Sequence, residues 1–322
     1  MTEGASPRGP VICIVGPTAS GKSALAELVA LKLGSPVISV DAMQVYRGMD
    51  VGTAKTPEGE RKVPLLMVDV TDVSDDYSVQ RFQKDARAVV DSQLDAGLVP
   101  VLCGGTGLYL NAVIDKMEFP AGTVGDDRRS AYERMADEQG SDALYQLLLS
   151  RDPESAALIH PHNVRRVVRA LEMLDEGVSY AKHHEGLSKR APYYQARIWG
   201  LRMARERLYE RIDSRVDQMF DQGLVDEVKD LIPLGLSTDR TSGQAIGYKE
   251  ILEVLQGNCS FDEAREQIKR RTRHYAKRQL SWFGHDQRVK WIDLDQTSPE
   301  EAAAAIVSDA LGTNSSSDMK EA

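Results

Sequence analysis

The segment Gly16-Pro17-Thr18-Ala19-Ser20-Gly21-Lys22-Ser23 constrains this chain more than any other. It fits the pattern G-x-x-x-x-G-K-[ST] and lies between a short apolar run, residues 11–15, and a stretch of helical spacing that begins at Lys22. Strand, glycine-rich turn and helix in that order make a phosphate-binding P-loop. The glycines let backbone amides turn inward around phosphate oxygens, and the new helix points its positive end at them. In such a loop Lys22 supplies charge to the phosphates and Ser23 a hydroxyl for Mg²⁺. A chance glycine-rich turn is the alternative, and both flanks speak against it. The motif reads a diphosphate; it names neither a nucleotide nor the group transferred.

The rest of the chain extends this pattern. Residues 37–40, 65–70 and 99–103 are further short apolar runs. Residues 78–96 have helical spacing, with Ser78 as N-cap and Gly97 just past the end. Strands alternating with helices predict a parallel sheet with right-handed crossovers, so the expected fold class is α/β, P-loop NTPase-like, with helices flanking the sheet. After Phe119-Pro120 helix signals dominate and strand signals fade. Residues 120–195 therefore read as a helical insertion, with Gly122, Gly125 and residues 186–192 as loose joints. Residues 198–201 return to the sheet. Residues 204–222, 224–234 and 261–283 are predicted helices, 289–294 a last strand and 299–311 a last helix. The core is then residues 11–119 with 196–311, while residues 1–10 and 312–322 are polar and expected to be disordered. No internal repeat is visible.

Composition excludes several classes. No stretch approaches the roughly 18 apolar residues of a membrane span, and the polar start has no secretory h-region. Cys13, Cys103 and Cys259 are odd in number and lack C-x-x-C spacing, which disfavours a disulfide framework or zinc site and fits a reducing cytoplasm. His160, His162, His183 and His184 have no spacing that supports a metal site. The net charge of −9 argues against binding nucleic acid by bulk charge. Positive charge is nevertheless concentrated between Arg265 and Arg278, where Glu266 is the lone acid. On a helix Lys269, Arg273 and Lys277 share one face, and Arg270, His274 and Arg278 the neighbouring row. That segment is either a solvated surface or a local contact for an anionic partner.

Three further features bear on chemistry. Asp41 ends the second strand, at the sheet edge where ligands bind in such folds. Its carboxylate serves there as a general base, as a ligand to a magnesium-bound water, or merely as a cap on the next turn. Gly104-Gly105-Thr106-Gly107 follows the fourth strand and either admits a ligand close to backbone or makes a tight turn. Arg207, Arg211 and Arg215 line one helix face, as a phosphate clamp or as surface partners of Glu206, Glu210 and Asp213.

Taken together, these pieces resemble the tRNA dimethylallyltransferases, also called tRNA isopentenyltransferases. The resemblance rests on residues 16–23, on Asp41-Ala-Met-Gln-Val-Tyr-Arg-Gly-Met-Asp-Val-Gly-Thr-Ala-Lys55 and on Gly104-Gly-Thr-Gly-Leu-Tyr109. It continues through Ile159-His-Pro161, Arg165-Arg166, Arg169-Ala-Leu-Glu172, Gln244-Ala-Ile-Gly-Tyr-Lys249 and Tyr275-Ala-Lys-Arg-Gln-Leu280, and it spans about residues 11–293. The block from Asp41 to Lys55 is the most specific, because ordinary P-loop kinases lack it. His162-Asn163 stands where the family usually has Asn-Asp, and Gly284 follows Trp282-Phe283 where arginine is common. The zinc-finger extension of eukaryotic members is not expected.

The resemblance implies transfer of a dimethylallyl group from dimethylallyl diphosphate to N6 of adenosine 37, 3′ of the anticodon, in tRNAs reading codons that begin with U. It implies a cytoplasmic monomer that uses Mg²⁺ near Ser23. Asp41 would take the proton from the attacking amine, since carboxylates are ionised at neutral pH. Thr106, Arg215, Lys22 and the loop amides would stabilise the departing pyrophosphate. The expected tRNA contacts are Asp41, Ala42, Met43, Gln44, Thr106, Arg129, Asn163, Val164, Arg165, Arg166, Val167, Gln244, Ala245, Ile246, Gly247, Tyr248 and Lys249. The base would be flipped from the anticodon loop, the helical insertion would close over the anticodon stem-loop, and the basic segment would meet the phosphate backbone. Three alternatives stand beside this reading. One is a small-metabolite kinase using ATP, another a prenyltransferase for free adenine nucleotides, and the third an RNA-binding switch without chemistry.

Overall fold

A computed structural model describes residues 6–119, 127–188 and 191–312. In chain order the elements are β1 (Arg8–Val15), α1 (Lys22–Leu33), β2 (Val37–Ser39), β3 (Leu65–Leu66), α2 (Val79–Asp95), β4 (Val101–Gly104) and α3 (Gly107–Ile114). There follow α4 (Asp127–Gln139), α5 (Ser141–Arg151), α6 (Pro153–Ala157), α7 (Val164–Asp175) and α8 (Tyr180–Ser188). The chain continues with β5 (Tyr194–Arg202), α9 (Arg205–Asp221), α10 (Leu224–Leu231), α11 (Tyr248–Leu255), α12 (Phe261–Gly284), β6 (Val289–Asp293) and α13 (Pro299–Leu311).

The strands form one parallel sheet in the order β3-β2-β4-β1-β5-β6. Side chains of β1 alternate across it, as pleating requires. Val11, Cys13 and Val15 join one buried cluster with Phe82, Ala86 and Val90 of α2 and Ile251 of α11. Ile12 and Ile14 join the opposite cluster, built with Leu25 and Val29 of α1 and Ile306 of α13. Burial on both faces is why the strands read as continuous apolar runs rather than alternating ones. The strand order also sets the site. It places the carboxyl ends of β2, β4 and β1 side by side, so the segments after Ser39, Gly104 and Val15 emerge on one edge.

Several boundaries differ from the sequence reading. β1 begins at Arg8, inside the segment expected to be disordered, because Arg8 pairs with Tyr194 and its guanidinium bridges Asp91 and Asp95 of α2. The third strand is two residues long rather than 65–70. Met67 and Asp69 adopt left-handed backbone angles that end it, and Asp69 turns to meet Lys55 at 2.6 Å. The helix expected over 224–234 stops at Leu231; Pro233 follows in a 3₁₀ turn, where it cannot continue the ladder. Residues 1–5, Gly122, Gly125 and residues 313–322 lie outside the described residues.

The chain divides into two compact units, Met1–Ile114 with Pro192–Ala322, and Asp115–Ala191. The second starts five residues and ends four residues earlier than the 120–195 read from composition. Its ends are joined by backbone, with the Lys116 amide donating to the Ala191 carbonyl at 2.8 Å. Within it, Leu144, Leu148, Val167, Val168 and Leu171 form a separate core. Asp152 caps α6 through the Ser155 amide, and Asn163 caps α7 through the Arg166 amide.

Candidate active site

The loop between β1 and α1 is shaped by its backbone. Ala19 and Gly21 take left-handed angles, with φ of 62° and 93°, which wraps the chain around the start of α1. The first amides of α1 have no intrahelical acceptor and are left to a ligand. Side chains from α9 and α12 hold the outside of the loop. Arg211 Nε donates to the Ala19 carbonyl at 2.7 Å, and the Thr18 amide donates to Gln279 Oε1 at 2.9 Å.

Inside the loop Lys22 reaches the Pro17 carbonyl at 3.3 Å and lies close to Cys103, Arg215 and Asp41. Burial lowers the pKa of its ammonium, and the Arg215 charge adds to that, while the neighbouring Cys103 and Asp41 work the other way. Burial pushes the Cys103 thiol up to about 11, so it stays protonated near neutral pH. Ser23 hydrogen-bonds with that thiol.

Asp41 fills one of the roles left open by its sequence. Its Oδ1 accepts from the Met43 amide at 2.9 Å and the Gln44 amide at 3.4 Å, which caps the following turn. The second oxygen has no hydrogen-bond partner among the described residues. The Ala42 amide donates to Thr106 Oγ1 at 3.3 Å, tying the loop after β2 to the loop after β4.

The three arginines of α9 separate in function. Arg207 pairs with Asp295 at 2.7 Å on the surface, and Arg211 holds the Ala19 carbonyl. Arg215 turns inward. Its Nη2 donates to the Thr53 carbonyl at 3.4 Å, and its Nε is buried without a partner. Burial depresses its pKa below the usual guanidinium value, with Arg211 adding to this and Asp41 opposing it. An enclosed cation with an unused donor is stabilised by an anionic ligand.

Three cavities meet at Arg215. The first, between Lys22, Ser23 and Asp41, is small, about 90 Å³. The second, about 910 Å³, is lined by Asp50, Glu60, Glu210 and Gln222 among others. The third, about 380 Å³, is mainly apolar, with Met43, Ile212, Val216, Ile246 and Ile268 in its wall. Asp41 and Tyr275 border both the first and the third. Burial pushes the Tyr275 phenol up to about 12, and the charge of Asp41 adds to this, while the neighbouring Thr106 and Gln279 side chains oppose the shift.

Two groups that the sequence did not single out support this arrangement. Glu227 of α10 accepts from three successive backbone amides, Asp50 at 3.0 Å, Val51 at 2.6 Å and Gly52 at 3.2 Å. It also takes the Tyr248 hydroxyl at 2.5 Å. This fixes the turn whose next carbonyl, Thr53, receives both Arg215 and Gln44. Lys55 is buried between Asp50 and Asp69, both at 2.6 Å, and anchors the end of the same block. A Cβ on Gly52 would come within 2.4 Å of the Tyr248 ring, so the block needs glycine there.

The residues expected to touch tRNA fall into two groups. Asp41, Ala42, Met43, Thr106, Gln244, Ala245, Ile246 and Tyr248 border the apolar cavity, while Gln44, Gly247 and Lys249 do not. Tyr248 is fully buried and its hydroxyl is taken by Glu227, so its ring alone faces the cavity. Arg129 and Asn163 to Val167 belong to the second unit. There Arg165 and Arg166 are exposed, Arg129 pairs with Glu133 at 3.0 Å, and Val164 and Val167 pack in the core of that unit.

The basic helix differs from its sequence reading. Arg273 makes two bonds to Asp213, at 2.6 and 2.7 Å, and Lys269 meets Asp217 at 2.9 Å. The row expected to face an anionic partner is therefore largely neutralised against α9. Arg270, His274, Lys277 and Arg278 are the exposed members. The glycines after β4 also acquire a reason that neither sequence alternative supplied. A Cβ on Gly105 would lie 2.1 Å from Gln279 Nε2, and one on Gly107 would lie 2.1 Å from Trp282, so they admit α12.

Among the described residues no cluster of His, Cys, Asp or Glu could hold a metal by itself. A magnesium ion that keeps its waters and binds ligand phosphates needs only one or two protein oxygens. Ser23 borders the small cavity and supplies a hard donor that fits this requirement.

Fold and site define an α/β protein with a glycine-bounded loop, a carboxylate and enclosed cations gathered at the carboxyl edge of a parallel sheet. The sequence profile of the IPP transferase family matches residues 44–286, and that of the isopentenyl transferase family residues 9–63. A tRNA dimethylallyltransferase from Carboxydothermus hydrogenoformans is 43% identical over 302 residues, covering 93% of this chain and 97% of that protein. One from Geobacillus kaustophilus is 45% identical over 286 residues, covering 88% and 90%. Among solved structures, the tRNA delta(2)-isopentenylpyrophosphate transferase of Staphylococcus epidermidis superposes with a TM-score of 0.70 at 36% identity, covering 95% of this chain and all of that one. A eukaryotic dimethylallyltransferase described as acting on tRNA superposes with a TM-score of 0.77 at 28% identity, covering 95% and 80%. The chain belongs to the IPP transferase family.

Proposed function

We propose that this protein is a tRNA dimethylallyltransferase that transfers the dimethylallyl group of dimethylallyl diphosphate to N6 of adenosine 37 in tRNAs reading codons that begin with U. The observation that carries the reading is the buried, unpartnered Nε of Arg215, enclosed with Lys22 beside Asp41 where a polar and an apolar cavity meet. The diphosphate would lie against the loop amides, Lys22 and Arg215, and the five-carbon group in the apolar cavity. Adenosine N6 would attack the first allylic carbon as its bond to the diphosphate oxygen breaks. The electron pair leaves with pyrophosphate, and the amine proton passes to the unpartnered oxygen of Asp41. The loop amides, Lys22, Arg215 and the Thr106 hydroxyl oppose the charge that grows on the leaving group. Mg²⁺, held through Ser23, would add charge neutralisation on the diphosphate.

The tRNA would be held by the residues around the apolar cavity, by Arg129, Asn163, Arg165 and Arg166 of the second unit, and by the exposed cations of α12. No helix among the described residues is long and apolar enough to cross a membrane, and the proposal includes a cytoplasmic monomer. The kinase alternative leaves the apolar cavity beside Asp41 without a use. Incubation with labelled dimethylallyl diphosphate and an anticodon stem-loop tests the proposal. Label should enter RNA carrying adenosine 37 but not guanosine, inorganic pyrophosphate should compete with the donor, and ATP should yield no phosphorylated product. Label transfer to both RNAs, or phosphorylation by ATP at a comparable rate, would overturn it.

A further inference from the structure

α12 reads as a basic surface helix, yet one of its polar residues is almost wholly enclosed. Gln279 is 4% exposed and lies on the same stripe as Ala264, Ile268, Ala276 and Phe283. A buried primary amide carries one carbonyl acceptor and two N–H donors, and each is costly to leave unmet. Gln279 spends these groups on different parts of the site. Its Oε1 accepts from the Thr18 amide at 2.9 Å and its Nε2 donates to the Gly105 carbonyl at 3.0 Å, with the Tyr275 hydroxyl close by. The ladder between β1 and β4 ends at the pairing of Val15 with Gly104. Immediately beyond, the two chains diverge, one into the phosphate loop and the other into the loop that carries Thr106. A glutamine side-chain amide is chemically a peptide group, and here it fills the gap as one more rung. Gly105 has no side chain because Gln279 occupies that space.

We propose that Gln279 is a positioning residue for the transfer reaction. It fixes the spacing between the diphosphate loop at Thr18 and the loop bearing Thr106, and with Thr106 it orients the Tyr275 hydroxyl at the junction of the two cavities. The inference rests on the functional reading above. It deepens that reading by assigning the alignment of leaving group and acceptor to a side chain that braces the two loops at the wall of the small cavity.

Three variants of the full chain test it. Gln279→Met keeps length and removes every hydrogen bond, Gln279→Glu keeps shape but cannot donate to Gly105, and Gln279→Asn keeps the chemistry one methylene short. Each is compared with wild type for turnover, for pyrophosphate affinity by calorimetry, and for tRNA affinity. Gln279→Met should lower kcat by about 10- to 100-fold, the range for a misplacement near 1 Å at a reacting centre. It should weaken pyrophosphate about tenfold and leave tRNA affinity within about twofold, since one lost hydrogen-bonded brace corresponds to about tenfold in binding. Gln279→Glu should be weaker still for pyrophosphate, and Gln279→Asn intermediate in both. If Gln279→Met fails to fold, the Glu and Asn variants decide by the same comparison. Wild-type turnover and pyrophosphate affinity in the variants would overturn the proposal, as would equal losses of tRNA and pyrophosphate affinity, the mark of a merely structural residue. Pyrophosphate binding needs no prenyl transfer. A wild type that binds pyrophosphate but modifies no tRNA therefore sinks the functional reading while the role of Gln279 at the loop is still measured.

Discussion

The two rows of cations on α12 should separate in their response to salt. Lys269 and Arg273 are held by Asp217 and Asp213, whereas Arg270 and Lys277 are exposed and carry no ion pair among the described residues. If the exposed pair meets tRNA phosphates, Arg270→Gln with Lys277→Gln removes two contacts. Each contact contributes about 0.7–0.9 to the slope of log K against log salt, so the slope should flatten by about 1.4–1.8. Across a fourfold rise in salt this amounts to a loss of affinity about 7- to 12-fold smaller than that of wild type. The effect should be the same for every tRNA, because phosphate contacts carry little sequence information. Lys269→Gln with Arg273→Gln should leave the slope unchanged. It should instead cost about 1–2 kcal/mol of stability, as two partly exposed pairs are lost and Asp213 is left unpaired, Asp217 keeping Arg265 at 3.5 Å. Fluorescence anisotropy titrations of both double variants over a salt series, with urea unfolding of each, give all four quantities. Identical slopes for wild type and the exposed-pair variant refute the contact. A slope change confined to the Lys269/Arg273 variant refutes the assignment of faces.

Other outcomes follow from the site. Asp41→Asn keeps size and removes basicity, so turnover should fall by on the order of 10²–10⁴ with tRNA affinity nearly intact; near-normal turnover would show that another group takes the proton. Glu227→Gln turns an acceptor of three backbone amides into a mixed group. It should lower stability by about 2–4 kcal/mol in urea unfolding, given about 1.5–3 kcal/mol for each charged hydrogen bond; unchanged stability contradicts that role. Burial lowers the pKa of Lys22, so below its folded value the protonated group opposes folding, and this is relieved as pH rises toward the unfolded value. A bound anion reverses the shift. Pyrophosphate binding above neutral pH should therefore take up more protons in wild type than in Lys22→Arg, measured by calorimetry in buffers of different ionisation enthalpy, and equal uptake contradicts the account.

What could be read in advance divides along physical lines. The strand, turn and helix of residues 11–33 and most of β4 were legible because local spacing determines them. The loop bracing was not, because Glu227 and Gln279 act on backbone far away in the chain, and no local pattern announces a tertiary hydrogen bond. Gln279 did leave a trace, being a polar residue at a position that the helical period assigns to the buried face of α12. The charge row on the same helix misled for a related reason: the acids that neutralise Lys269 and Arg273 belong to α9. The short β3 was over-read because the backbone turns to left-handed angles at Met67 and Asp69, where the Asp69 amide bonds the Gln44 carbonyl and its carboxylate meets Lys55. The cavities around Arg215 are walled by α1, α9, α12 and the loops between distant elements, all of which had to be in place before its unpartnered nitrogen had a meaning.

The most direct measurement is mass spectrometry of nucleosides from unmodified tRNA incubated with the protein, Mg²⁺ and dimethylallyl diphosphate. The account expects one adenosine, 3′ of the anticodon, to gain a single five-carbon unit on N6 in tRNAs reading codons that begin with U. It also expects the gain to disappear with Asp41→Asn or Arg215→Met. Unchanged tRNA in the wild-type reaction, or the same gain in the Asp41→Asn reaction, would contradict it.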